Sequence, residues 1–320
     1  MVKLASKIGL LTGSILLTLG LLYWLTNQYS STGYFAAIID KHHRADALKD
    51  CPRLLLVGGS GTAFGVDSQL LEDSLHLPVV NLAIHADLGL PFILRQVQSV
   101  ARPGDVVLLI PEYLLGRGDD YTQFYASQFY APAKMFMTFD GPYDYAVRRA
   151  IYYLKRIQNG LLVGADDQRM AKISDTTFVY FRAGFSHQGD LISPHNNRRS
   201  DNIGRIQLVF RGYAEEVNLI NAAAANMHGV TTLITYPAFA KSQFLANTIA
   251  ISQYVRELTK LRMVQLIGIP ERVVYPDSCF FDSPYHLYSV HRQDYSGQLL
   301  RHLNGLKRKP AKIQLTAVTQ

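Results

Sequence analysis

The sequence predicts an α/β protein: a doubly wound parallel sheet with a largely helical insertion, preceded by one N-terminal transmembrane helix. Three observations point there. Short apolar runs alternate with segments of helical spacing, Gly- and Pro-containing turns separate them, and an uncharged stretch near the N-terminus nearly matches the thickness of a bilayer's hydrocarbon.

Lys3 and Lys7 precede Ile8–Leu25, eighteen residues without a charge, or about 27 Å of helix. Tyr23 and Trp24 stand at the far end, where aromatic rings favour the membrane interface, and the next charge is Asp40. The positive flank predicts a cytoplasmic N-terminus and an extracytoplasmic, periplasmic remainder. A cleaved signal peptide is the rival reading, but no Ala-x-Ala site follows the run, so residues 1–26 are expected to stay as an anchor. A buried amphipathic helix would need a recurring polar face, which is absent. Residues 27–52 are polar, include His42 and His43, and read as a tether to a domain at 53–303.

Within that domain, Arg53–Val57 is a short apolar run ending in Gly58-Gly59-Ser60-Gly61, a buried strand breaking into a tight turn. A helix is predicted over Val66–Leu75, a strand over Pro78–Asn81, a helix over Leu88–Val100 and a strand over Asp105–Ile110 after Arg-Pro-Gly. The rhythm returns with a helix over Ala214–Met227, a strand over Val230–Thr235, a helix over Gln243–Leu261, a strand over Val264–Ile267 and a last helix over Arg292–Leu306. Short apolar strands separated by helices define a parallel sheet, whose ligands bind at the carboxyl ends of its strands.

Between about 113 and 211 the rhythm stops for longer than a plain loop allows. This insertion opens with a stretch dense in Tyr and Phe up to Tyr145, and Ala146–Leu162 has helical spacing. Its aromatics suit a lid or sugar-binding groove, a face on a membrane, or a small helical subdomain with its own core. Residues 304–320 form a basic tail. The whole chain has 320 residues, 48% hydrophobic and 18% charged, which excludes wholesale disorder and low-complexity classes. Its net charge of +7 fits an anionic membrane surface as well as nucleic acid, and outside the cytoplasm no nucleic-acid partner is expected. Two cysteines exclude a disulfide scaffold and a Cys-rich zinc fold. Cys51 and Cys279 fall at opposite edges of the inferred sheet and should not be bridged.

The chemistry gathers at the strand ends. Ser60 follows the first strand on a turn of small residues, open to close approach by a substrate. A phosphate-binding glycine turn or a structural turn would look similar, yet neither G-x-x-x-x-G-K-[ST] nor G-x-G-x-x-G is present. Asp282 and His286 lie after the final strand and before the last helix, where a loop could bring them over the tip of the first strand. A serine hydroxyl needs a base to take its proton, and the base needs a carboxylate to fix its tautomer, so this trio suits nucleophilic catalysis. Asn81 ends the second strand as a substitute donor or a loop-bonding Asn, and His85 falls near the same edge as a substrate contact or an ordinary loop residue. Spaced histidine ligands are missing, so neither a metal nor any other cofactor is expected.

This arrangement resembles the SGNH hydrolase (GDSL-like) superfamily over roughly residues 53–112 and 212–303. The parallels are the strand with its Gly-Gly-Ser turn, Asn81, the strand after Pro-Gly-Asp, and an Asp…His pair before the last helix. It is most similar to the anchored extracytoplasmic members that assist polysaccharide or teichoic acid acylation, of the alginate O-acetylation or D-alanylation type. The resemblance implies a flavodoxin-like fold, Ser60 as nucleophile, His286 as base and Asp282 as its orienting carboxylate. It further implies oxyanion donors at the N–H groups of Ser60 and Gly89. The sequence departs from the family at Gly59, where Asp is usual, and at Ile110-Pro-Glu-Tyr113, where the Asn of Gly-x-Asn-Asp is missing. It departs again in the four-residue step from Asp282 to His286 around Pro284. Three functions stay open. One is a serine O-acyltransferase or esterase acting on a cell-envelope glycan with an acyl donor. Another is an inactive accessory subunit partnered with a membrane-bound O-acyltransferase, and the third is an envelope binding protein.

Overall fold

The computed structural model describes residues 2–27, 33–138, 145–151, 153–154, 179–193, 200, 202–288 and 291–307. Helix α1 (Val2–Asn27) holds the apolar run. It is long and apolar enough to cross a membrane, and none of Lys3–Leu22 is buried against the rest of the chain. Two of its hydroxyls bond within the helix: Ser14 donates to Leu11 O at 2.9 Å and Thr18 to Ser14 O at 2.8 Å. Such back-bonding spares a polar side chain the need for water.

Among the described residues seven short strands follow: β1 (Leu54–Gly58), β2 (Val79–Asn81), β3 (Val106–Ile110), β4 (Thr231–Ile234), β5 (Phe239–Ala240), β6 (Gln265–Leu266) and β7 (Val274–Tyr275). Five make a parallel sheet in the order β2-β1-β3-β4-β6, and β5 pairs with β7. The chain is thus α/β. Counted within the sheet, this is the 2-1-3-4-5 order of open doubly wound sheets, and the order reverses between β1 and β3. The crevice at that reversal lies above Gly58 and Ile110, which are paired in register. All five residues of β1 are buried, as an unbroken apolar run requires when both faces of a strand are covered.

The helices after β1 are α3 (Ser60–Gly65), α4 (Ser68–Leu75), α5 (Gly89–Val100), α6 (Asp120–Phe129), α7 (145–151), α8 (Ala214–Asn226), α9 (Lys241–Ala246), α10 (Thr248–Leu258) and α11 (His291–Lys307). They pack in two groups, α5 on α8 and α3 and α4 on α11. The predicted helix at Val66 in fact starts at Ser60 and restarts after Asp67, whose side chain caps α4 by accepting from Leu70 N at 3.0 Å. The helix expected over 243–261 breaks at Asn247, whose amide donates to Gln243 O and Ile206 O instead of leaving the backbone to run on.

The tether expected over 27–52 is corrected. Residues 34–36 form a short 3₁₀ turn and Ala37–Ala47 a helix, α2, whose inner face holds Lys41, His42 and Arg44 as well as Ile38. The cations look polar in sequence, but they cover the open edge of β2. Arg44 donates to Val79 O at 2.9 Å and Lys41 to Asn81 O at 2.9 Å, while Asn81 N donates to Gln188 O at 2.8 Å. An edge strand must have its backbone groups satisfied or protected, and here side chains do it. At the amino end of the sheet, Arg53 and Asp105 form a buried ion pair at 2.6 Å. The same guanidinium reaches Ala45 O and, at 2.9 Å, Val100 O, so it ties α2 and α5 to the sheet.

The insertion is helical in its first part, through α6, a 3₁₀ turn at Ala131–Met135 and α7. Most of the helix expected over Ala146–Leu162 lies outside the described residues. The described remainder, 179–193 and 202–211, has only a 3₁₀ turn and isolated bridges, so "largely helical" holds for the first third. Its rings pack on α2 and the segment before it: Tyr125 meets Phe35 at 5.4 Å, Tyr130 stacks on His42 at 4.3 Å and Tyr180 meets Tyr34 at 5.5 Å. Helix α11 extends to Lys307, and the tail beyond it lies outside the described residues. Cys51 is exposed, Cys279 is buried, and both are free thiols.

Candidate active site

Ser60 is the first residue of α3, directly above β1 at the reversal of strand order. His286 lies on the loop before α11, which closes on itself: Phe281 N donates to His286 O at 2.8 Å and His286 N to Ser283 O at 3.1 Å. That closure lets Asp282 and His286 face the same way despite the four-residue step around Pro284. The structure joins the three side chains. His286 Nε2 lies 2.9 Å from Ser60 Oγ, and His286 Nδ1 lies 2.6 Å from Asp282 Oδ1. With Nδ1–H donating to the carboxylate, Nε2 is left to accept the serine proton.

Two residues that sequence reasoning did not single out hold this chain in place. Phe64 sits one helical turn after Ser60 on α3, and its ring lies flat under the imidazole, with centroids 3.8 Å apart and planes within 5°. Tyr180, from the insertion, donates its phenol to Asp282 Oδ2. Burial disfavours the Asp282 carboxylate, but the hydrogen bonds and charge of His286 and the Tyr180 bond outweigh it, so its pKa falls below the ordinary value. Phe64 was legible in principle as an i+4 neighbour of Ser60. Tyr180 was not, because 120 residues of chain separate it from Ser60.

Glu112 follows β3 across the crevice and is also buried. Its Oε1 accepts from Gly61 N at 2.8 Å and its Oε2 from Gly59 N at 3.1 Å, so the carboxyl group bridges the N–H groups on either side of Ser60. Burial raises its pKa, against the opposing effect of Gly61 N–H, the other backbone donors and the nearby His286. Glycine is required at 59 for space: an added Cβ would lie 2.4 Å from Glu112 Oε2 and 2.7 Å from Ala86 Cα. Gly59→Ala is therefore expected to push Ser60 out of line and slow its reaction with a fluorophosphonate about 10²-fold, the usual effect of a 1 Å misplacement. An unchanged labelling rate would show that the turn tolerates the methyl group.

The remaining expected residues stand elsewhere. Gly89 is not an oxyanion donor: its N–H is bonded to Ala86 O, and its φ of 76° serves a tight crossing in which a Cβ would lie 2.0 Å from Arg117 O. Asn81 is fully buried, donating to Asp190 Oδ1 at 2.8 Å and to Thr62 O at 3.4 Å and accepting from Ala83 N at 3.1 Å, which makes it a structural link rather than a donor to the site. His85 accepts from Asp87 N at 3.2 Å and packs on Phe35. Burial lowers its pKa despite Asp87, and His286 lies close enough to lower it further, so His85 borders the site without touching its polar groups. Ser60 and Glu112 open into a cleft of about 360 Å³. Its wall includes Tyr113, Leu114, Ile206, Leu208 and Tyr285, so it offers apolar surface next to Ser60. Segment 202–211 is held there by side chains of the α9–α10 region, with Gln243 accepting from Ile206 N at 2.9 Å and Asn247 from Leu208 N at 2.8 Å. The chain matches no family model, no curated protein and no solved structure.

Proposed function

We propose that the chain is a membrane-anchored, extracytoplasmic SGNH-like serine O-acyltransferase or esterase acting on a cell-envelope polysaccharide. The observation that carries this reading is the continuous Asp282–His286–Ser60 hydrogen-bond chain at the carboxyl edge of the sheet, opening into a partly apolar cleft. In the reaction, Ser60 Oγ attacks the carbonyl carbon of an ester while His286 Nε2 takes its proton. The imidazolium, stabilised by Asp282, returns that proton to the departing alkoxide. An acceptor hydroxyl, from a sugar or from water, then loses its proton to His286, attacks the acyl carbon and releases Ser60. The apolar run of α1 supports the anchor, and Lys3 and Lys7 before it support an extracytoplasmic domain.

A second reading, an inactive accessory subunit of a membrane-bound O-acyltransferase complex, draws on one observation. The side chain placed by β3 beside the nucleophile turn is an acid, Glu112, where a hydrolase of this type would be expected to have an amide donor. Treating the purified full-length chain with a fluorophosphonate separates the two. Labelling that disappears in Ser60→Ala is expected. A chain that stays unlabelled from acid to alkaline pH would leave the accessory reading in front.

A further inference from the structure

We propose that Glu112 is a catalytic residue in its neutral form, giving a hydrogen bond to the oxyanion that forms when Ser60 attacks an ester. This deepens the serine reading above and rests on it. The argument begins with the two N–H groups that the carboxyl accepts from, Gly59 and Gly61. Between them lies the N–H of Ser60, which has no hydrogen-bond partner among the described residues and is the natural first donor to the oxyanion. An oxyanion at that N–H forms within reach of the Glu112 carboxyl group. If Glu112 were ionised, two negative charges would share one buried spot, which raises the barrier rather than lowering it. If it is protonated, the same oxygen atoms still accept from Gly59 and Gly61, and the acid proton is free to point at the substrate.

The surroundings favour the neutral form. No Lys or Arg pairs with Glu112 among the described residues, and burial works against its charge. Such an acid provides what a side-chain amide would provide, one donor aimed at developing charge. No proton need be transferred. The carbonyl π electrons move onto oxygen as Ser60 Oγ bonds to carbon, Glu112 and Ser60 N–H hydrogen-bond that oxygen, and the electrons return to re-form the carbonyl as the alkoxide leaves with the His286 proton.

The consequence is a basic limit to reactivity. Glu112 has a raised pKa, so its useful proton is present below that pKa and is lost as pH rises through it. The groups around it are Tyr113 on its own loop, Tyr285 and His286 on the loop before α11, Tyr254 on α10, Tyr295 on α11, and Tyr34 before α2. Burial raises all five phenols above their ordinary value, so they stay neutral. Asp282 is held ionised, His85 is held neutral by burial, and Asp87 adds a carboxylate on the cleft wall. On the alkaline side the reaction is therefore governed by Glu112, which must be protonated to donate.

The test is the rate of fluorophosphonate labelling of the full-length chain across pH. The wild-type rate is expected to fall on the alkaline side of the profile. Glu112→Gln, which keeps an N–H donor and an acceptor for one of the two glycine N–H groups, should be slowed less than Glu112→Ala and lose the alkaline fall. Glu112→Ala should lose about 10²–10³-fold, the effect of removing one oxyanion donor, with melting curves on all variants to confirm folding. The assignment is overturned if folded Glu112→Gln keeps the alkaline fall, or is as slow as Glu112→Ala. A wild-type rate that climbs steadily with pH overturns it as well. Wild type that is never labelled removes the serine reading itself, and this assignment with it.

Discussion

Replacing His286 by Ala is expected to slow the reaction of Ser60 with a fluorophosphonate about 10²–10⁴-fold, the usual contribution of a general base. Replacing Asp282 by Asn is expected to cost much less, about 10–10²-fold, and the difference comes from Tyr180. When an aspartate of this kind becomes an amide, the danger is that its NH₂ turns toward the histidine and forces the wrong tautomer, a loss of about 10⁴-fold where it occurs. Here Asp282 Oδ1 serves His286 at 2.6 Å and Oδ2 serves the Tyr180 hydroxyl. A hydroxyl can accept as well as donate, so Tyr180 can take the NH₂ and leave the amide oxygen on His286. Charge is lost but the tautomer is kept. Adding Tyr180→Phe to Asp282→Asn should remove that preference and deepen the loss beyond the product of the single effects. Labelling rates of the four variants decide the matter, and equal rates for Asp282→Asn and the double variant would sink the orienting role of Tyr180.

Asp105→Ala is expected to be the most damaging change to stability, at about 3–5 kcal/mol, the range for removing one partner of a buried ion pair. Asp105 accepts from Arg53 N and Arg102 N, each at 2.9 Å, besides holding the Arg53 guanidinium at 2.6 Å. Both residues of the pair are about 1% exposed, so water cannot take over. Replacing Arg53 by Met and Asp105 by Leu together should cost less than Asp105→Ala alone, because no uncompensated charge is left behind. Urea unfolding at constant slope measures both. A loss below about 1 kcal/mol for Asp105→Ala would mean that the pair is not buried as described.

The sheet was legible because its strands are unbroken apolar runs bounded by Gly and Pro, and each predicted strand falls within two residues of the observed one at both ends. The triad was legible for a related reason: strand ends fix one edge of a parallel sheet, and Ser60, Asp282 and His286 all lie at that edge. What escaped was decided by polar side chains. Helix α2 buries Lys41, His42 and Arg44, so its inner face does not read as hydrophobic, and only the exposed edge of β2 explains why it folds there. Glu112 was visible two residues past the third strand, but its partners are backbone N–H groups that no residue pattern advertises. Gly89 was misread because glycine after a strand signals a special backbone shape without saying whether substrate or chain fills the space.

The folding of residues 33–52 onto the sheet changes the reach of the site. A free segment from Asn27 to Arg53 would let the domain roam on the order of 90 Å from the end of its helix, at up to ~3.5 Å per residue. With the folded body beginning at Gly33, only six peptide steps separate it from Asn27, and however those residues run they cover no more than about 22 Å. If α1 crosses a bilayer, the catalytic body is leashed to the headgroup layer. The acyl donor and acceptor of the proposed reaction would then have to be presented at the membrane surface, by a lipid or by an integral-membrane neighbour, rather than met deep in the space beyond.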